Sequence, residues 1–230
     1  MSKDRVNIKF LDVWKRRNTI QPKIIEKNWF ESHYEWIRGR SQCLTFLIRV
    51  QDEEVIQRVR KVQDELTHFS CIDPFPKEYL HITVKGCGFL VESKEYKDDV
   101  ATENVDQIMV QTQKILQATR KFEVLLFRLN IVQDVVFIEV HDDGKIGLIN
   151  KELQKIQEIR KMEYDYPEFL PHISIVQFQN TREFSDMIEH LESLRETEFG
   201  KFTVDSVELV NANLLGRYPT LKTLNIFRLN

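Results

Sequence analysis

Two tetrapeptides of one design, 91 residues apart, constrain this chain more than any other feature: His81-Ile82-Thr83-Val84 and His172-Ile173-Ser174-Ile175. Each alternates polar with apolar residues, and each has a further apolar neighbour, Leu80 before the first and Val176 after the second. Such alternation predicts a half-buried β-strand. Residues two apart on a strand share a face, so each His stands beside its own Thr or Ser. The fold must therefore hold two equivalent strands, one in each half of the chain. Ser and Thr make up 21 of 230 residues, so one His beside a hydroxyl is ordinary, but a second copy makes accident the minority explanation. Each unit offers an imidazole that titrates near neutral pH and a hydroxyl that donates to an oxygen anion. Facing each other, the two would bracket one phosphate between an acid and a base.

With these motifs the chain resembles the 2H phosphoesterases, a family that includes 2'-5' RNA ligases and cyclic nucleotide phosphodiesterases. Its members carry two His-x-Ser/Thr-x motifs, one in each half of a pseudo-symmetric domain. The lead-ins are similar as well: Pro76-Lys77-Glu78-Tyr79-Leu80 before the first motif and Tyr166-Pro167-Glu168-Phe169-Leu170-Pro171 before the second. The chain departs from the family after the first motif, where Lys85-Gly86-Cys87-Gly88-Phe89-Leu90 keeps a glycine at altered spacing. The resemblance spans residues 42–230. It implies an α+β fold, a duplicated, pseudo-symmetric two-lobed domain whose antiparallel sheets enclose a central cleft with helices outside. It divides the chain into an N-terminal helical extension at 1–40 and a 2H phosphoesterase-like domain at 41–230.

A chain of 230 residues, 42% hydrophobic and 30% charged, can build a core and keep a solvated surface. No run approaches about 18 consecutive apolar residues, which excludes a membrane-spanning helix. The segment Met1-Ser2-Lys3-Asp4-Arg5 lacks the apolar stretch of a secretory signal. Cys43, Cys71 and Cys87 form no Cys-x-x-Cys spacing, and an odd count suits reduced thiols. A cytoplasmic monomer is the expectation. The net charge of −3 hides an imbalance: residues 1–40 carry +5 and the remainder −8. All three tryptophans, Trp14, Trp29 and Trp36, fall in those forty residues, which marks a docked element. Its expected roles are two: a basic border that lengthens an RNA footprint, or a cover for an apolar face.

Elsewhere, periodicity predicts strands at 42–50, 122–129, 135–141, 202–210 and 221–229. Helices are predicted from Glu53 to about Phe69, from Asn104 to Thr119 and from Leu148 to Met162, with another around Phe184–Leu194. His33, His68, His141 and His190 share no metal-ligand spacing, so neither a metal nor a cofactor is expected.

In-line displacement at phosphorus needs a base on the nucleophile, an acid on the leaving oxygen, and donors for the growing equatorial charge. His81 and His172 fit the first two needs, and Thr83 and Ser174 bind the phosphate. The expected assignment is His172 as base and His81 as acid. Lys85 shares the Thr83 face if the strand continues. Tyr79, Phe178 and Tyr218 are candidate substrate contacts through stacking, whereas Arg49 and Arg128 read as surface residues. The expected function is a metal-independent phosphodiesterase acting on a 2',3'-cyclic phosphate or a 2'-5' linkage in RNA, reversible as ligation. The alternative is a non-catalytic nucleotide- or RNA-binding module that uses the same cleft.

Overall fold

Alternation along Gln42–Arg49 (β1) sends Leu44, Phe46 and Ile48 to one side and Cys43, Thr45, Leu47 and Arg49 to the other. Asp52 then caps a helix, α4 (Glu53–Leu66), its carboxylate accepting from the Val55 amide at 3.0 Å. Glu53 and Glu54 sit at the positive end of that helix dipole. Val55, Val59, Val62 and Leu66 recur on one helical face and share a core with Leu44, Phe46 and Ile48. That side of the sheet is the helix side; the other is the cleft side.

The protein is described here by a computed structural model over residues 8–160 and 169–230. The remaining strands are β2 (Ile72–Pro74), β3 (His81–Val91), β4 (Asp99–Ala101), β5 (Phe122–Ile131), β6 (Val135–His141), β7 (His172–Phe178), β8 (Glu198–Val204), β9 (Ser206–Asn213) and β10 (Thr220–Arg228). They run in the order β10-β9-β1-β3-β7-β6-β5-β8, with β2 added to β7 and β4 to β3. Every pairing is antiparallel except β3 with β4. The α+β, two-lobed architecture is as the motif duplication implies. The lobes are joined, however, into one sheet through a single pair, Ile82 opposite Ile173.

Residues 202–210, which read from sequence as one strand, belong to two, β8 and β9, broken at Asp205. The helix expected over Leu148–Met162 is α6, Lys145–Leu153; its predicted last two positions, like the first half of the lead-in to the second motif, lie outside the described residues. Helices α5 (Val105–Gln117) and α7 (Phe184–Ser193) occupy their predicted places.

Within residues 8–40 are three short α-helices, α1 (Ile8–Lys15), α2 (Trp29–Ser32) and α3 (Tyr34–Ile37), with a 3-10 turn at Arg17–Thr19 and a stretch that bridges to Phe178 at Ile24. They pack on the cleft side. Phe10 is fully buried against Phe137 and His141, with ring centroids 6.2 and 5.6 Å away. Trp36 meets Phe89 edge-on at 5.0 Å, and Ile37 shares a second, smaller core with Cys43, Phe89, Ala212 and Leu214. No described helix is long and apolar enough to cross a membrane.

Candidate active site

The pair Ile82–Ile173 joins the two motifs directly. An antiparallel register through it sets His81 alongside Ser174 and Thr83 alongside His172, so each imidazole has a hydroxyl from its own strand and one from the other. The isoleucines are fully buried on the helix side, while His81, Thr83, His172 and Ser174 stay half-buried on the cleft side. Both rings are tied in the same way. His81 Nδ1 lies 2.5 Å from the Tyr79 carbonyl and His172 Nδ1 2.9 Å from the Leu170 carbonyl. A carbonyl only accepts, so Nδ1 donates in both. Nε2 then carries the lone pair of each neutral ring and is the nitrogen left to take up a proton. His81 Nε2 is 3.2 Å from Thr83 Oγ1, and in the neutral ring it accepts that hydroxyl.

Immediately after each hydroxyl residue the strand bulges. Thr83 pairs with Leu47 but Lys85 with Phe46, leaving Val84 as the extra residue. Ser174 pairs with Phe137 but Val176 with Val136, leaving Ile175 as the extra residue. Each bulge carbonyl is met by a buried side-chain amide from the helix layer: Asn150 Nδ2 donates to Val84 O at 2.6 Å, and Gln63 Nε2 to Ile175 O at 2.7 Å. Asn150 lies on α6 and Gln63 on α4, 4% and 7% exposed. Sequence reading missed both, although a polar residue on the buried face of an amphipathic helix is a usable signal. Asn150→Leu and Gln63→Leu should each cost about 1–3 kcal/mol by leaving a buried carbonyl unmet, read by denaturant unfolding. They should also lower kcat, because the bulge fixes where Thr83 or Ser174 points. A variant with unchanged stability and unchanged kcat would remove this role.

The bulge also corrects the reading of Lys85. Its register partner, Phe46, belongs to the helix-side core, so Lys85 does not share the Thr83 face. The side chain is 1% exposed and Nζ donates to the Arg160 carbonyl at 3.1 Å. Phe178 is likewise fully buried, edge-on to Phe184, which takes its ring out of a ligand's reach. Tyr79 does reach the site, with its ring edge-on to His81 at 4.9 Å and stacked on Phe75. Tyr218 lies beyond Phe75, its hydroxyl donating to Asp73, and lines an open groove of about 520 Å³ with Arg60 and Lys77. Arg49, a surface residue by sequence, stands opposite His81 in register. Its guanidinium is forked onto Glu208 at 3.0–3.2 Å and donates to the Glu78 carbonyl. That places a fixed cation beside the first imidazole.

Both histidines are shifted toward the neutral form. Burial pushes His81 down to about 4, opposed by the Tyr79 carbonyl and reinforced by Arg49 and by the charge on a protonated His172. Burial lowers His172 too, opposed by the Leu170 carbonyl and Asp134. A folded His81 that resists protonation makes the protein lose stability as pH falls from about 6.5 toward 4, where the unfolded chain takes the proton first. Among the described residues, no three His, Cys, Asp or Glu side chains converge as a metal site.

A two-lobed α+β fold with one His-x-Ser/Thr strand in each lobe is the 2H phosphoesterase arrangement. The chain belongs to the 2'-5' RNA ligase superfamily, whose family model matches residues 49–214. Among solved structures, TT0787 of Thermus thermophilus superposes with a TM-score of 0.60 at 18% identity, covering 81% of this chain and 97% of that one. LigT of E. coli, complexed with NADP+, gives 0.59 at 17% identity over 82% and 98%. LigT complexed with 3'-AMP gives 0.58 at 15% over the same shares. At these identities the superpositions establish the fold, and membership of the superfamily makes the protein a phosphoesterase-type enzyme.

Proposed function

We propose that the protein is a metal-independent phosphodiesterase that opens 2',3'-cyclic phosphates or 2'-5' linkages of nucleotides, by in-line attack at a phosphorus held between the two Nε2 atoms. The observation that carries this is the matched tethering of the two rings, Nδ1 to a carbonyl and Nε2 toward the cleft, in strands joined at one residue pair. One neutral ring removes a proton from the attacking water, and the other, protonated, delivers one to the leaving ribose oxygen. His172 is assigned the base. His81 is assigned the acid; the bound phosphate anion, with Glu208 and the Tyr79 carbonyl, offsets the burial and the Arg49 charge that keep it neutral in the free protein. Thr83 and Ser174 donate to the equatorial oxygens as charge grows there. Ligation is the same displacement with a ribose 5'-hydroxyl in place of water, and its reverse, with the two roles exchanged, returns the cyclic phosphate. That E. coli LigT is seen with 3'-AMP and with phosphate supports a nucleotide phosphate as the ligand.

The test is incubation with a 2',3'-cyclic nucleotide in EDTA, with the 2'-phosphate as the expected product. Binding without turnover would favour the binding-module alternative, and loss of activity on chelation would overturn the metal-independent mechanism.

The rate should depend on pH with a definite sign. The reactive free protein holds one proton on the pair, and burial depletes that form. kcat/KM should therefore fall above about pH 6.5, approaching tenfold per pH unit. kcat should hold to higher pH, because the bound phosphate anion favours the imidazolium. A kcat/KM that is flat or rising between about pH 6 and 8 would rule out a histidine acid.

A further inference from the structure

The cleft side of the sheet is mostly not open. Next to His172 the face carries Phe137, Glu139 and Asn130, which are 4%, 0% and 0% exposed. Phe10 of α1 lies over them, its carbonyl accepting from Asn130 Nδ2 at 2.9 Å. On the His81 lobe the same face ends in Cys43, Phe89 and Ala212, buried with Ile37, Trp29 and Trp36. Between these two covers the chain is pinned at its middle by Arg217, whose Nη1 donates to the carbonyls of Ile25, Glu26 and Lys27. Residues 8–40 thus form one strap lying on the floors of both lobes. His81, Thr83, His172 and Ser174 remain half-buried between its two ends.

The cations tell the same story. Several arginines on or around this face are held by carboxylates: Arg49 by Glu208, Arg195 by Glu139, Arg217 by Asp73, and Arg40 of the strap by Asp98 and Asp99. Arg17, also of the strap, is held by Glu192. Binding a polynucleotide backbone draws its energy from cations that displace counterions along a track of phosphates, and these arginines are already engaged.

We propose that the strap makes the cleft a chain-end site: it admits a mononucleotide or the terminal cyclic phosphate of a longer chain and excludes a linkage inside a polynucleotide. This rests on the phosphodiesterase reading and narrows its substrate class. It reverses the idea that a basic extension lengthens an RNA footprint. An internal linkage must carry nucleotides away from the phosphorus on both sides, over the two floors that α1 and α2–α3 occupy.

The experiment compares three probes on the full chain: adenosine 2',3'-cyclic phosphate, an oligonucleotide ending in a 2',3'-cyclic phosphate, and one with a single internal 2'-5' linkage and blocked ends. The first two should agree in kcat/KM within about tenfold, and the third should be lower by about 100-fold, roughly tenfold for each flanking nucleotide denied a place. Trp36→Ala loosens the strap away from the histidines. Cys43, 7% exposed beneath it, reports the opening through its alkylation rate, localised by mass spectrometry. Faster alkylation by about tenfold should accompany a gain of about tenfold on the internal linkage, with the mononucleotide changed by less than about twofold. An internal linkage opened as readily as a cyclic end by the unaltered chain would overturn the proposal, as would an exposed Cys43 without that gain. If no probe is turned over, the phosphodiesterase reading fails on its own. The strap is then judged by Kd for the same probes, read from the fluorescence of its three tryptophans; a preference for ends supports it and equal affinity overturns it.

Discussion

Replacing either His81 or His172 by alanine is expected to lower kcat on a 2',3'-cyclic nucleotide by roughly 100- to 10,000-fold, the range for loss of a positioned acid or base. In the proposed mechanism both rings enter one displacement, so the double variant should lose little more than the worse single one. The two losses need not be equal. His81 bears Arg49, Glu208 and the Thr83 hydroxyl, whereas His172 packs on Phe137 at 5.0 Å. Neither change should unfold the protein, because each ring is half-buried and makes its tether to a local carbonyl. Retention of the unfolding midpoint alongside the lost rate separates chemistry from folding. Full activity in either variant would falsify the two-histidine mechanism.

A comparable effect on stability is expected from Arg195→Ala. Glu139 is completely buried on the cleft side, opposite His172 in register. Arg195 Nη2 forms an ion pair with Glu139 Oε1 at 2.5 Å, that oxygen accepts a hydrogen bond from Asn130 at 2.8 Å, and the guanidinium stacks over Trp14 at 4.6 Å. Removing the arginine leaves a carboxylate buried without its counter-charge, a loss of about 3–5 kcal/mol. Replacing both partners, as in Arg195→Met with Glu139→Leu, should recover most of it, since an apolar pair needs no compensation. Denaturant unfolding of the three proteins decides the matter, and a cost below about 1 kcal/mol for Arg195→Ala would show that Glu139 is satisfied without it. The single variant should also raise the His172 pKa by leaving an anion beneath the ring.

The duplicated motifs are legible in the sequence because they combine a period of two with two chemically matched residue types. That combination places His81, Thr83, His172 and Ser174 on one side of the sheet and announces the α+β, two-lobed fold. Helices α4, α5 and α7 are legible from amphipathic spacing alone. What escapes is long-range or breaks the period. Counting in twos puts Lys85 on the Thr83 face, and nothing local in Thr83-Val84-Lys85 announces a bulge. Arg49 reads as a strand-end surface residue because Glu208, its partner, lies 159 residues away. Phe178 continues an apolar strand, and only the packing of Phe184 shows where its ring goes. The N-terminal segment is recognisable as docked from its tryptophans, but the floors it lies on belong to strands assembled from the whole chain.

The two bulges bear on how this fold tolerates change. One unpaired residue, Val84 in one strand and Ile175 in the other, separates a stretch that shows hydroxyl and imidazole to the cleft from one that sends Lys85 or Val176 to the helices. Amino-acid replacement at either position leaves that count intact. Deletion of the residue would turn the remainder of the strand over, carrying core side chains into the cleft and Gly86 or Gln177 toward the helices. Each motif strand is therefore free to drift in identity at these places while its length stays fixed, and descendants of this chain should differ there by substitution, never by insertion or loss.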